Sequence, residues 1–182
     1  MLELPRAPQR LRLPVESGWD GSTEPAAPRG VVELSAVDGG LFVRVTLEQG
    51  LPPREPPEPR GTRIDRLWEY DVAECFLVGD DGHYFELELG AGGHFLALSF
   101  SAPRHRSHGH EGLALDVRAE RSERVWRAET VVPRELLPSK LCAVNAFAIA
   151  AGHHLAYQKV PGTSPDFHQP AAFPALRVPA DW

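Results

Sequence analysis

The sequence predicts an all-β protein, a two-sheet antiparallel β-sandwich with few short helical turns. The first observation is that 18 prolines and 16 glycines are spread over 182 residues. Proline breaks helix interiors and glycine favours tight turns, and the longest stretch without either runs only from Leu113 to Val132. The second observation is a series of about ten short apolar segments separated by turns, which is typical of sandwiches. We expect residues 1–182 to form a single domain.

The first predicted elements are an extended segment and a hairpin. Residues 1–18 form an extended N-terminal segment spaced by prolines, and this extended character continues to residue 30. Strands are predicted at 31–37 and 41–47, because Asp38-Gly39-Gly40 between β-branched runs is a strong hairpin signal. Residues 50–62 contain five prolines, which predicts a stiff surface loop between the sheets.

A three-strand meander is predicted at residues 71–101, with glycine-containing turns at 79–82 and 90–93. The middle strand alternates, with Phe85, Leu87 and Leu89 on one face and Tyr84, Glu86 and Glu88 on the other. One face therefore packs on a core, while the other meets water or a ligand. Residues 64–76 also fit a helical stripe, which we interpret as a short helical turn that leads into the first strand.

The remaining chain continues the same pattern. We expect a polar loop at 103–112, strands at 113–119, 124–132, 142–150, 155–160 and 173–178, a helical turn at 133–137, and a turn at His153-His154. Cys75 and Cys142 both lie in apolar strand segments. Without an export signal, two buried, reduced thiols are expected, and a disulfide is the less favoured alternative.

Charge and hydropathy exclude several classes of protein. The formal net charge of −6 argues against a nucleic-acid partner, and no run of about 18 apolar residues could cross a membrane. The N-terminal sequence MLELPRAPQRLRLP lacks the apolar core of a secretory signal, so we expect a cytoplasmic protein. The chain has no G-x-S-x-G elbow, P-loop or C-x-x-C pair, and nothing in it indicates an oligomeric state.

Four segments resemble, in order, the signatures of family 9 carbohydrate-binding modules and their DOMON-like relatives. They are residues 68–76 (WEYDVAECF), 126–133 (WRAETVVP), 145–147 (NAF) and 167–173 (FHQPAAF). With Trp19-Asp20-Gly21 included, the chain resembles most a small stand-alone group of uncharacterised function. The resemblance covers about residues 19–178, and it implies a β-sandwich that agrees with the strand pattern.

The resemblance also implies sugar binding, in which an aromatic pair grips a terminal sugar and charged side chains bind its hydroxyl groups. Trp68 and Glu74 match the first aromatic residue and an acidic ligand of that pattern. The second aromatic residue has three candidates, Phe167, Tyr157 and Trp19. No tryptophan stands at the C-terminal position where the family has one.

The residue types around Trp68 suit sugar recognition, which needs a flat apolar surface and groups that bind hydroxyls. Asp71 and Glu74 follow Trp68 closely, and His168 is either a buried hydrogen-bonded residue or a ligand-facing one. The predicted ligand-binding residues are Trp68, Asp71, Glu74, Glu86, Tyr157, Phe167 and His168. The alternative interpretation is that Trp68 belongs to the core and the carboxylates are structural or lie at the surface.

No cofactor is predicted. The densest cluster of potential metal ligands is His105, His108, His110 and Glu111. These residues lie in a polar loop without fixed spacing, so a flexible loop is the preferred interpretation. The turn Asp80-Asp81-Gly82 either holds calcium or is a plain hairpin turn. Methionine–histidine ligation of haem is excluded because the sole methionine is Met1.

We therefore predict a non-catalytic domain that binds a carbohydrate or a glycan-like small ligand. One alternative is a hydrolase that acts on glycosides through paired carboxylates such as Glu86 and Glu88. The other is a protein-interaction or structural domain whose loops at 50–62 and 103–112 bind a partner. A sugar site requires that Trp68 be accessible and that a cleft lie beside Glu74.

Overall fold

Nearly all regular structure in the protein is β-strand. The computed structural model describes residues 1–23, 25–180 and 182. The strands are β1 (Leu2–Glu3), β2 (Leu11–Val15), β3 (Ser17–Gly18), β4 (Arg29–Val37), β5 (Gly40–Glu48), β6 (Val72–Gly79), β7 (Tyr84–Gly90), β8 (Phe95–Ala102), β9 (His105–His108), β10 (Arg118–Arg121), β11 (Val125–Pro133), β12 (Leu141–Ala150), β13 (His153–Ala156) and β14 (Leu176–Arg177). Short 3-10 helical turns lie at Leu67–Glu69, Arg134–Leu136 and Pro170–Ala172. Within the described residues, no helix is long and apolar enough to span a membrane.

The strands form two antiparallel sheets. The order in the five-stranded sheet is β10-β11-β5-β4-β2, and in the seven-stranded sheet it is β3-β13-β12-β6-β7-β8-β9. A small parallel pair, β1 with β14, joins the two ends of the chain. This architecture confirms the predicted all-β sandwich. The β4–β5 hairpin, the β6–β7–β8 meander and the helical turn before β6 also form as predicted.

The main core lies between the two sheets, because strand alternation sends one apolar series inward from each sheet. Leu34 and Val43 fill it from the five-stranded sheet, and Cys75 and Leu87 from the seven-stranded sheet. The largest of the fully buried side chains is Trp126 on β11, whose indole N–H donates to the side-chain oxygen of Gln49 at 3.3 Å. The two sheets of the sandwich thus pack together through a layer of aromatic and aliphatic side chains.

A second apolar layer covers the outer face of the seven-stranded sheet. The segments 64–68 and 160–173 fold over this face, and we call them the covering segments. Phe147 of β12 stacks on Phe167 with ring centroids 4.2 Å apart, and it meets Phe76 edge to face at 5.4 Å. Both faces of β6 and β7 are therefore buried. The outer face of the meander was expected to meet either water or a ligand, and the expectation that it meets water is wrong.

Several predicted boundaries are also wrong. The extended N-terminal segment at 1–18 includes three short strands, β1 to β3. The polar loop at 103–112 contains β9, and the strand expected at 113–119 forms instead at Arg118–Arg121. His153-His154 opens β13, because Ala151 and Gly152 make the turn with φ values of 49° and 81°. In each case pairing with a neighbouring strand overrides the local sequence signal.

The two cysteines differ in environment. Cys75 is buried on the inner face of β6, and burial raises the pKa of its thiol to about 12. Cys142 is exposed on β12, which corrects the expectation that both thiols are buried. Neither forms a disulfide, as expected.

The proline-rich loop 50–62 has no strand or helix, as predicted, but it is fastened to the sheet. The carboxylate of Asp71 accepts hydrogen bonds from the Gln49 side-chain amide at 2.8 Å and from the Arg54 backbone N–H at 3.1 Å. The His94 ring nitrogen Nε2 lies 3.1 Å from the Glu58 carbonyl oxygen. Asp71 therefore holds this loop against the start of β6.

Asn145 provides a test of the fold. Its side-chain amide donates to the Gln158 carbonyl at 2.9 Å, and its side-chain oxygen accepts from the backbone N–H groups of Ala146 and Gln158. Because Asn145 is fully buried, Asn145→Ala leaves these backbone groups unpaired and lowers the free energy of unfolding by about 2–3 kcal/mol. Urea denaturation followed by tryptophan fluorescence measures the change. Gln158→Ala is the control, because only its backbone takes part, and an equal loss there would contradict the assignment.

Candidate ligand-binding site

A pocket of about 340 Å³ opens on the outer face of the seven-stranded sheet, where the covering segments leave the sheet uncovered. Glu74 and Glu86 come from the sheet, Trp68 and His168 come from the covering segments, and Arg106 comes from β9. Arg104, Asp166, Phe167, Leu98, Phe100 and Pro165 complete the lining. The pocket thus combines an aromatic surface, carboxyl groups and guanidinium groups.

Strand register brings the carboxyl groups together. Glu74 of β6 lies directly opposite Glu88 of β7, and Glu86 is two residues from Glu88 on the same face. All three side chains are at least 97% buried. Apart from the neighbouring floor carboxyls themselves, both oxygens of Glu88 and the Oε2 of Glu86 have no hydrogen-bond partner within the described part of the chain. We call Glu74, Glu86 and Glu88 the carboxyl floor.

Burial makes the charged form of each floor carboxyl unfavourable. It raises the pKa of Glu86 to about 7, against the opposing effects of a hydrogen bond with the Glu88 carboxyl group and of the Arg106 and Arg104 guanidinium groups. Burial, reinforced by the charge of Glu86, raises the pKa of Glu74 well above its usual range. The pKa of Glu88 is likewise raised well above its usual range, by burial first and then by its two acidic neighbours. At neutral pH Glu74 and Glu88 are therefore protonated, while Glu86 is close to the midpoint of its titration.

Hydrogen bonding fixes the tautomer of His168. The Tyr84 hydroxyl lies 2.9 Å from His168 Nδ1 and accepts a hydrogen bond from the Arg104 backbone N–H at 3.1 Å. Because the Tyr84 side chain is buried, its O–H needs an acceptor, and Nδ1 is the acceptor within reach. The proton of the neutral ring then lies on Nε2, which is 4.0 Å from Glu86 Oε2. Burial first, and then Arg104, lowers the pKa of His168 to about 4, so the ring is neutral at neutral pH.

Two arginines from the β8–β9 hairpin stand at the mouth of the pocket. Arg104 forms an ion pair with Asp166 at 2.8 Å, so its charge is compensated. The Arg106 guanidinium makes no hydrogen bond or ion pair with any residue that the structure describes. Both side chains are exposed. The mouth therefore carries one positive charge without a counter-charge.

Trp68 is held at the edge of the pocket by its own helical turn. The neighbouring Leu67 is fully buried in the second apolar layer and anchors the turn Leu67–Glu69. Trp68 remains half-buried and lines the pocket together with Glu74. Trp68 is therefore not completely buried, and a cleft lies beside Glu74.

The structure brings together five of the seven residues predicted from the sequence. Trp68, Glu74, Glu86, Phe167 and His168 line the pocket. Asp71 lies outside it and fastens the loop 50–62, as described above.

Tyr157 also lies outside the pocket, packed against the core between the sheets. Trp19 lines a separate cavity of about 290 Å³ beside β13. Of the three candidates for a second aromatic residue, only Phe167 is in the pocket.

Sequence reasoning missed Arg104, Arg106 and Asp166. The two arginines lie in the segment PRHRSHGH, which reads as a polar loop. Strand periodicity could not have found both, because Arg106 lies on β9 while Arg104 lies in the β8–β9 turn with a φ of 61°. Asp166 follows no pattern, because it lies in a covering segment without regular structure.

The histidine cluster does not assemble into a metal centre among the residues that the structure describes. His110 Nε2 lies 2.8 Å from the Ser99 hydroxyl, and the His108 and His110 rings stack with centroids 5.6 Å apart. In the turn at 79–82, the Asp81 side chain accepts the His83 backbone N–H, as in a plain hairpin turn.

No family model matches the chain. The chain is 31% identical over 169 residues to the UPF0462 protein C4orf33 homolog of Rattus norvegicus. The aligned region covers 85% of this chain and 82% of that protein. The UPF0462 protein C4orf33 of Homo sapiens is 28% identical over 165 residues, with 85% and 81% covered.

Two solved structures share the fold. A proposed carbohydrate-binding protein from Bacteroides uniformis superposes with a TM-score of 0.75 at 16% identity, over 98% of each chain. A family 9 carbohydrate-binding module from Caldicellulosiruptor kristjanssonii, solved with cellotriose, gives a TM-score of 0.62 at 9% identity over 97% of this chain and 92% of that one. These likenesses confirm the predicted family 9-like sandwich.

The carboxyl floor predicts how stability depends on pH. Between pH 6.5 and 8 the folded protein holds protons that the unfolded chain has released, because the folded pKa values of the floor are raised. The free energy of unfolding therefore falls as pH rises through about 7, by about 1.4 kcal/mol per pH unit for each extra proton held. His168 acts in another window: its lowered pKa removes stability only as pH falls from 6.5 towards 4.

Urea titrations at pH 6.5, 7.2 and 8.0 measure this dependence. Glu88→Gln replaces the protonated carboxyl by a neutral group of the same shape and flattens the pH dependence. Glu123→Gln, at an exposed turn, leaves it unchanged. A wild-type stability that does not fall over this range would mean that the floor is ionised or open to water.

Proposed function

The chain belongs to the UPF0462 protein family, and we propose that it is a non-catalytic domain that binds a carbohydrate or a similar polyhydroxylated small molecule. The ligand occupies the pocket between Trp68 and the carboxyl floor. The observation that supports this most directly is the half-buried Trp68 beside a cavity of about 340 Å³ that also contains Glu74 and Glu86. This volume is at the lower end of the range for ligand pockets and suits one terminal sugar.

The polar groups of the pocket match the chemistry of sugar hydroxyls. A hydroxyl both donates and accepts hydrogen bonds, as does a protonated carboxyl group. Glu74 and Glu86 offer such groups, and His168 offers an Nε2–H donor. Trp68 supplies the apolar face on which the C–H side of a pyranose stacks.

The depth of the floor adds specificity. Glu86 Oε2 is a buried oxygen without a partner among the described residues, and such a group stays costly until a ligand supplies one. A ligand without a hydroxyl next to Glu86 Oε2 leaves this oxygen unpaired in the complex, so the free-energy cost of burying it remains. A polyol is therefore favoured over an apolar molecule of the same size.

Glycoside hydrolysis is a second candidate, supported by one observation. Glu86 lines the pocket with a pKa of about 7, which suits a general acid near neutral pH, and Glu74 lines the same pocket. In that case the ligand is also the substrate.

Calorimetric titration with glucose, galactose, mannose, xylose and cellobiose tests the proposal. At least one of these sugars should bind saturably, and Trp68→Ala should weaken binding roughly tenfold or more because the stacking surface is lost. Trp19→Ala is the matched control, since this half-buried tryptophan lines a different cavity. Saturable binding to no sugar, neutral or charged, or equal binding by Trp68→Ala, would overturn the proposal.

The same samples distinguish binding from hydrolysis. A binding domain leaves cellobiose and aryl glycosides intact over a day, as measured by the release of reducing ends and of nitrophenol. Release that disappears in Glu86→Gln would replace the binding function by the hydrolase.

A further inference from the structure

Arg106 is the charged group of the pocket that the proposed function does not use. We infer that the natural ligand is an anionic sugar, a sugar acid or a sugar phosphate, whose anionic group binds the Arg106 guanidinium while its hydroxyls face the carboxyl floor. This inference rests on the proposed function, because it specifies the class of sugar that the same pocket takes.

The first step is that the charge of Arg106 is available. Its neighbour at the mouth, Arg104, is already paired with Asp166 at 2.8 Å, and that carboxylate also accepts the His168 backbone N–H at 3.0 Å. Asp166 is thus fully engaged, and within the described residues Arg106 has no carboxylate within ion-pair distance. Guanidinium groups bind carboxylates and phosphates through two parallel hydrogen bonds, so an unpaired one facing a pocket suits an anion.

The second step is that the floor does not cancel this charge. At pH 6.0 all three floor carboxyls are mostly protonated because they are buried, and His168 is neutral. The Arg104–Asp166 pair contributes no net charge. The groups that face the pocket therefore leave a net charge of about +1 at Arg106. Above pH 7 Glu86 ionises and offsets it.

The third step is that the ligand is small. The pocket of about 340 Å³ accommodates one sugar ring with its substituent. The formal net charge of the chain is −6, which repels an extended polyanion such as a nucleic acid. A small anion that reaches Arg106 inside the pocket avoids most of that repulsion at moderate salt.

The experiment compares glucose, glucuronate and glucose 6-phosphate by calorimetry at pH 6.0 and 8.0. At pH 6.0 we expect at least one anionic sugar to bind about tenfold tighter than glucose. At pH 8.0 this preference shrinks, because Glu86 gains its negative charge. Whichever anionic sugar shows the preference distinguishes a carboxylate from a phosphate as the recognised group.

The variants assign the preference to Arg106. Arg106→Gln should remove the preference, so that anionic sugars and glucose bind this variant with equal affinity, while Arg106→Lys keeps part of the preference. Arg124→Gln, an exposed arginine in the β10–β11 turn, is the matched control and should behave as wild type. Thermal melts check that each variant is folded, which is expected because the Arg106 side chain is exposed.

Four results would overturn the inference. If glucose binds as tightly as the anionic sugars, or if Arg106→Gln keeps the preference, the inference fails while the sugar-binding proposal stands. If acetate or inorganic phosphate binds as tightly as the anionic sugars, the site is a simple anion site and the sugar ring is not recognised. If neither glucose nor an anionic sugar binds and the five neutral sugars also fail, the proposed function fails and the inference falls with it.

Discussion

The structure depends on a seven-stranded sheet that is buried on both faces. Its inner face packs on the five-stranded sheet, and its outer face packs under the covering segments. Antiparallel sheets commonly leave one face to water, in which case acidic residues on that face would be ordinary solvated groups. Here the covering segments enclose Glu74, Glu86 and Glu88 instead. The pocket is the place where this cover is incomplete, so its walls and its electrostatics both follow from the second apolar layer.

The sequence was sufficient to predict which side chains of β7 share a face, but not whether that face is buried or exposed to solvent. Strand periodicity is local, so it correctly put Glu86 and Glu88 on one face with Tyr84. Whether that face is wet depends on contacts such as Tyr84–His168, which joins residues 84 positions apart. The family resemblance supplied Trp68, Glu74 and His168. It could not separate Asp71 from them, because Asp71 precedes β6 and its side chain turns to the loop 50–62. Arg106 was missed because β9 owes its strand conformation to β8.

The carboxyl floor is costly to the fold. A buried polar group without a partner costs about 1–3 kcal/mol, and Glu88 has two such oxygens among the described residues. An apolar side chain at 88 would extend the second apolar layer, whose neighbours at that point include Leu96 on β8. Local conflicts of this kind, in a sequence that otherwise agrees with its fold, are typical of functional sites. Of the floor residues, Glu74 and Glu86 line the pocket, so a ligand there could compensate the cost at Glu86, while Glu88 lies behind them.

Protonation connects the fold, the floor and the mouth of the pocket. If the floor were ionised, three neighbouring negative charges would attract Arg106 inward and leave no free cation at the mouth. Burial keeps Glu74 and Glu88 neutral, and Arg106 lies in the solvent-exposed hairpin while Arg104 pairs with Asp166. The His168 ring is neutral as well and adds no charge to the pocket. The covering segments therefore determine the charge of the pocket chiefly through burial, which the neighbouring arginines oppose at Glu86, and Glu86, with its pKa near 7, is the group through which solution pH changes that charge.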